Sequence, residues 1–179
     1  MIEQDISENQ VNLVYLGIGS NLGNKINNIE LAKSKLILND VMIVKSSSYY
    51  ESLSWPDNNN PKFYNVVVKV LTKLSPFELI SVCKTIETSL GRKKRLRNAP
   101  RECDIDIIDF NKMIHKENNL ILPHPKCHLR NFVLFPILQI DPNWFHPIIK
   151  KNAQFLINKL SQKYRIEITR LRKNVNILI

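Results

Sequence analysis

The sequence predicts an α+β domain, a ferredoxin-like βαββαβ core with an antiparallel sheet and extra C-terminal helices. Two observations predict it. Segments of period two and of period 3.6 follow one another in the order strand, helix, strand, strand, helix, strand, the split βαβ arrangement. The 179 residues also carry no internal repeat, no Gly/Ser linker and no break in composition. One core and one site are therefore expected. Residues 1–11 read as a flexible N-terminal extension, 12–163 as the domain and 164–179 as a basic and apolar tail.

Val11 to Ile18 alternates apolar residues and runs into Gly17 and Gly19, a strand entering a turn. A helix follows with Asn24 or Asn27 as cap and Ile29, Ala32 and Leu36 on one face. Val41 to Tyr50, β-branched and aromatic, reads as the second strand, and Phe63 to Leu71, centred on three valines, as the third. Between them Glu51 to Lys62, with Pro56, Asp57, three asparagines and Pro61, reads as a loop. Ser75-Pro76-Phe77-Glu78 supplies a cap, a first-turn proline and a Glu three residues after the cap, and Gly91 closes that helix. Cys103 to Phe110 is the fourth strand, and Asn152 to Lys163 a further helix. From Tyr164 the alternation of Ile166 and Ile168 suggests an extended tail.

Composition narrows the function classes. With 44% apolar and 23% charged residues the chain can bury a core. The apolar run Phe132 to Ile140, interrupted by Pro136, is too short to span a bilayer. The N-terminus is polar and acidic where a signal peptide is basic and apolar, and Cys83, Cys103 and Cys127 form neither a disulfide framework nor a zinc-binding spacing. A reducing, cytoplasmic setting is expected. The net charge of +10 favours an anionic partner, nucleic acid and nucleotide phosphates both fitting. The basic tail reads as a solvated surface.

The sharpest chemical feature is Asp104-Ile105-Asp106. Residues two apart on a strand share a face about 6.6 to 7 Å apart, so these two carboxylates suit magnesium while Ile105 and Ile107 enter the core. By itself the pattern fits an exposed edge-strand face equally well. Asp109 falls on the opposite parity and is expected to end the strand or to pair with a base. Just upstream, Arg92, Lys93, Lys94, Arg95, Arg97 and Arg101 fall within ten positions. Guanidinium groups facing a two-carboxylate site would hold a triphosphate, although a Lys/Arg run alone is more often a nucleic-acid patch or a solvated turn. Gly17-Ile18-Gly19-Ser20-Asn21-Leu22-Gly23 satisfies neither the dinucleotide nor the Walker spacing and reads as turn glycines. His124 sits between Pro123 and Pro125, a fixed backbone suited to phosphate contact; His115, His128 and His146 offer no reason to be singled out.

Taken as an ordered set, Gly19 to Gly23, Phe63-Tyr64-Asn65, Ile86-Glu87 with Gly91-Arg92, Pro100-Arg101-x-x-Asp104-Ile105-Asp106-Ile107 and Leu122-Pro123-His124-Pro125 resemble the 6-hydroxymethyl-7,8-dihydropterin pyrophosphokinase family over residues 12 to 145. The resemblance implies diphosphoryl transfer from ATP to the reduced pterin, with two Mg2+ ions, in folate biosynthesis. It implies that Asp104 and Asp106 hold the metal and that Arg92, Arg101, Ile107, His124, Pro125 and Arg130 bind ATP. Arg92, Arg97 and Arg101 act with the two aspartates in catalysis. Ser52, Phe63, Asn65 and Phe132 bind the pterin, the two phenylalanines as walls around the ring, and Glu87 is auxiliary.

Phe63 stands where some members have Tyr, the loop from Arg92 to Arg101 is one residue short of some relatives, and Asn98 replaces a frequent aromatic. The expected partners are ATP and a reduced pterin. A monomer that binds neither nucleic acid nor membrane is expected, with no second folate enzyme fused within 179 residues. Two rival readings are an RNA-binding module, which lacks its aromatic strand pattern here, and a metal-dependent glycosyltransferase, which needs a larger domain.

Overall fold

The computed structural model describes residues 10–54, 59–92, 99–117 and 120–171. The chain opens with β1 (Asn12–Ser20), followed by α1 (Lys25–Ile37), β2 (Val41–Ser46), β3 (Tyr50–Ser52) and β4 (Phe63–Thr72). Then come α2 (Pro76–Ser89), β5 (Asp104–Phe110), a short hairpin of β6 (His115–Glu117) and β7 (Leu120–Leu122), and a 3-10 turn at Cys127–Leu129. The chain continues through α3 (Asn131–Ile140), α4 (Ala153–Lys159), α5 (Gln162–Ile166) and β8 (Thr169–Arg170).

Strands β5, β1, β4, β3 and β8 lie side by side in that order, and β2 pairs with β4 ahead of β3 on the same edge. Every pairing is antiparallel. α1 and α2 cover one face, burying Ile29, Ala32, Leu36, Leu79, Cys83 and Ile86 against Leu16, Ile18, Val66, Val68, Ile105 and Ile107. α3 and α4 cover the other, with Leu134, Ile137, Leu156 and Ile157 against Tyr15, Val67 and Ile108. Val66-Val67-Val68 is an unbroken apolar run because β4 is central and both its faces are covered.

Local chemistry explains the ends of the elements. Asn24, the first of the two candidate caps, accepts from Asn27 N at 3.1 Å. Ser75 and Glu78 complete the capping box at 3.3 and 2.7 Å. Gly91 lies at φ +99°, where a side chain would be strained.

Several expectations need correction. The strand read as Val41 to Tyr50 is two pieces, parted at Ser47, whose amide donates to Val67 O and whose hydroxyl accepts from Val67 N. That side chain substitutes for a rung of the ladder. The run Phe132 to Ile140, read only as too short to span a bilayer, forms the body of one of the expected C-terminal helices, with Pro136 inside it, and is buried between the sheet and α4. The helix read from Asn152 to Lys163 is two helices, broken at Ser161, which caps α5 through Tyr164 N at 3.2 Å. The segment after Tyr164 begins helical and turns extended only at Thr169, where β8 joins β3.

Candidate active site

β1 and β5 build the floor of a cleft of about 260 Å³. Across the ladder Gly19 pairs with Asp104 and Gly17 with Asp106, so each carboxylate faces a residue with no side chain. The glycines make the space. A Cβ on Gly19 would stand 2.9 Å from Asn65 Oδ1 and 3.4 Å from Phe63 Cδ1, and one on Gly17 would stand 3.2 Å from Ile108 Cδ1.

A register shift between Tyr15 and Leu16 gives β5 one unpaired residue, Ile108. The shift overturns the parity expected for Asp109. Instead of ending the strand or pairing with a base, Asp109 is buried and accepts from Trp144 Nε1 at 2.8 Å and Lys112 N at 3.0 Å. Burial pushes its carboxyl up against those two donors.

Each site carboxylate is matched by arginine. Asp104 meets Arg92 at 2.7 Å and Arg101 at 2.9 Å, and Asp106 meets Arg130 at 2.9 Å. Arg101 also lies over the Phe63 ring and Arg130 over the Phe132 ring, each 5.4 Å from the centroid. The Nε atoms of both arginines are buried and have no hydrogen-bond partner among the described residues. Burial works to raise the Asp106 carboxyl, but His124 and Arg130 outweigh it and hold it below the usual carboxylate range. Burial, with Arg130 adding to it, lowers the His124 imidazole against the pull of Asp106. His124 Nδ1 accepts from Lys126 N at 3.1 Å, which turns Nε2 towards Asp106 at 3.7 Å.

Of the residues singled out in the sequence, Ser52, Phe63, Asn65, Arg101, Asp104 and Asp106 line this one cleft. His124, Pro125, Arg130 and Phe132 complete its wall. Asn65 donates to Ser52 Oγ at 3.0 Å, which fixes the amide at the inner end.

Arg92 and Glu87 sit behind the cleft. Buried Glu87 accepts from Ile105 N at 2.7 Å and pairs with Arg92 at 2.5 Å and Lys84 at 3.0 Å, so it aims Arg92 at Asp104. The Ile107 side chain points into the core, beside a second cavity of about 250 Å³ that also touches His124 and Pro125. Arg97 lies outside the described residues.

Sequence reading missed Gly17 and Gly19 as the makers of the cleft, and it missed Asn21. That buried amide accepts from Arg101 N at 2.8 Å, donates to Pro61 O at 3.0 Å, and its own backbone N–H donates to Arg101 O at 3.1 Å. Gly17 and Gly19 are thus ladder residues of β1 and not the turn glycines expected, and the chain just beyond them staples Arg101, a role that spacing rules for phosphate loops do not detect.

Comparison with known proteins gives a consistent family. The profile described as 7,8-dihydro-6-hydroxymethylpterin-pyrophosphokinase (HPPK) matches residues 15–142. The chain is 42% identical over 138 residues to the 2-amino-4-hydroxy-6-hydroxymethyldihydropteridine pyrophosphokinase of Aquifex aeolicus, covering 77% of this chain and 86% of that protein. It is 36% identical to the Bacillus subtilis protein of the same name, covering 72% and 78%. It is 43% identical to the folic acid synthesis protein FOL1 of Dictyostelium discoideum, of which it spans 21%. Among solved structures, Plasmodium falciparum HPPK-DHPS with pteroate superposes with a TM-score of 0.67 at 18% identity, over 84% of this chain and 42% of that one. At that identity the likeness bears on the fold.

Proposed function

The chain belongs to the 7,8-dihydro-6-hydroxymethylpterin-pyrophosphokinase family, and from that premise we propose that it transfers the terminal diphosphate of ATP to 6-hydroxymethyl-7,8-dihydropterin, a step of folate biosynthesis. The observation that carries the reading is the pairing of opposite charges in one cleft. Asp104 and Asp106 pair with Arg101 and Arg130 in the cleft and Asp104 reaches Arg92 behind it, so a divalent cation and a polyphosphate, bound together, meet the same groups with matching sign. The buried Nε donors of Arg101 and Arg130, unpartnered among the described residues, suit incoming phosphate oxygens.

The donor set fits Mg2+, two hard carboxylates on one strand face with room for water and phosphate oxygens. Asp104 and Asp106 would hold two ions, and bound magnesium would neutralise charge on the transferring phosphates. The protein supplies position. Phe63 and Phe132 sandwich the pterin ring, and Asn65 with Ser52 reads its polar edge. Arg92, Arg101, Arg130 and His124 hold the phosphates, and Ile107 and Pro125 border the nucleoside side. The hydroxymethyl oxygen then attacks the β-phosphorus in line, its proton passes by way of a phosphate oxygen to solvent, the bond from that phosphorus to the bridging α-oxygen breaks, and AMP leaves with that oxygen. Arg97 belongs to the same catalytic set, and Glu87 keeps Arg92 in place.

The ferredoxin-like reading of the core is supported by the order β5-β1-β4-β2, antiparallel throughout, with α1 and α2 on one face. We read residues 12–163 as the pyrophosphokinase domain of a monomer that needs neither nucleic acid nor membrane. Three free, buried thiols support a cytoplasmic setting. The test is AMP formation with Mg2+ and ATP. It is expected only when hydroxymethyldihydropterin is present. Tight RNA binding without ATP consumption would replace the proposal with a nucleic-acid role.

A further inference from the structure

Behind the wall that carries His124 and Arg130 lies a second cluster that the reaction does not use. Cys127 and His128 come from the 3-10 turn, and His146 from the loop after Trp144. One ligating atom of each lies within 4.8 Å of the others. Cys127 is fully buried and His146 is 3% exposed. His128 Nδ1 and His146 Nε2 are buried and have no hydrogen-bond partner among the described residues. Buried polar atoms are rarely left so, and an ion is one of the few things that satisfies them. Asp109, the nearby carboxylate, is already engaged by Trp144 and Lys112, which leaves the thiol and the two imidazoles as a compact donor set.

We propose that Cys127, His128 and His146 form a binding site for a borderline-soft divalent cation, zinc above all, separate from the magnesium carboxylates. One sulfur and two imidazole nitrogens are zinc's preferred donors, and they leave one tetrahedral position for water. No sequence motif announces the site, because the third ligand comes from a different loop and the pattern matches no ligand spacing. Ligation through Nε2 leaves the His146 ring proton on Nδ1. The contacts from Ile148 N and Ile149 N to that atom, both long at 3.2 Å, must then open. The ion has a structural consequence. The turn is held to the cleft by Cys127 N donating to His124 O at 3.0 Å and by Arg130 N donating to Cys127 O at 3.3 Å. A cation on Cys127 thus pins the backbone between two residues of the phosphate side.

The experiment uses the full chain, stripped with a chelator, and titrates cobalt(II) and then zinc in excess Mg2+. We expect one equivalent of cobalt with a thiolate-to-metal charge-transfer band, displaced by one equivalent of zinc. Cys127→Ser should lose the band, and Cys83→Ser and Cys103→Ser should keep it. Zinc-edge X-ray absorption on the unsubstituted chain tests the same point without relying on a variant's folding. One sulfur neighbour at about 2.3 Å is expected beside nitrogens at about 2.0 to 2.1 Å. Absence of stoichiometric binding, a band that survives Cys127→Ser, or a shell without sulfur would each overturn the site.

Discussion

At the scale of single residues, two positions separate the roles of the cleft. Asp106 faces Gly17 and holds Arg130. Asp106→Ala is expected to lower turnover by at least about 100-fold, the upper end of what the outer partners of a metal are worth, while calorimetry still detects pterin. Magnesium-dependent turnover like that of the unaltered protein would remove Asp106 from the metal set. Gly19 serves by having no side chain. The amide it would strike is tied to Ser52, so a methyl group there displaces Asn65 only by breaking that bond. Gly19→Ala should raise KM for the pterin about tenfold, the worth of one hydrogen bond of roughly 1.4 kcal/mol, and leave KM for ATP nearly unchanged. The two carboxylates and the arginines upstream of them stood out because each bears a functional group whose chemistry suggests a task, whereas Phe63, Phe132 and Arg130 were reached only through the resemblance to a family. Gly17, Gly19 and Asn21 were missed, since a missing side chain and an amide that bonds to backbone carry no chemical signature in a string of letters.

At the scale of elements, the sequence disclosed most of what propensity and capping control: β1, α1, β4, α2 and β5 stand near their expected places. It failed where a side-chain hydroxyl bonds the backbone. Ser47 broke a strand that β-branched composition favoured, and Ser161 split a helix that was read as continuous. The end of α3 offers a test. Asp141 accepts from Tyr15 Oη on β1 at 2.5 Å and from Lys69 Nζ on β4 at 2.7 Å, tying the helix to two strands. Burial works to raise its carboxyl, but the bonds from Lys69 and Tyr15 outweigh it, so its folded value lies below the ordinary 3.8. A depressed carboxylate contributes stability above its ordinary value, and that contribution fades as pH falls below it. Asp141→Asn should therefore cost about 2 kcal/mol near neutrality, within the range for hydrogen bonds to charged groups. Urea unfolding should show the gap between the two proteins closing below about pH 4. A gap constant with pH would mean that charge plays no part.

At the scale of the molecule, charge and layering matter most. A surplus of ten positive charges steers polyphosphate toward the cleft, and salt screens steering over roughly 8 to 10 Å near physiological strength. Raising ionic strength should therefore weaken kcat/KM for ATP severalfold and leave that for the uncharged pterin almost flat. Parallel decline in both would locate the salt effect in the fold. The layers meet through the unpaired Ile108. Were Ile108 paired like its neighbours, plain alternation would send Asp109 to the opposite side of the sheet, away from Trp144. Excising that one residue should consequently act like pulling a shim from a frame: Asp109 still meets Tyr15 and Phe110 still meets Val14, but the filler that Ile108 wedges against Tyr15 and Val67 is gone. The third layer would then sit on a hollow while the carboxylates before and after the gap kept their partners.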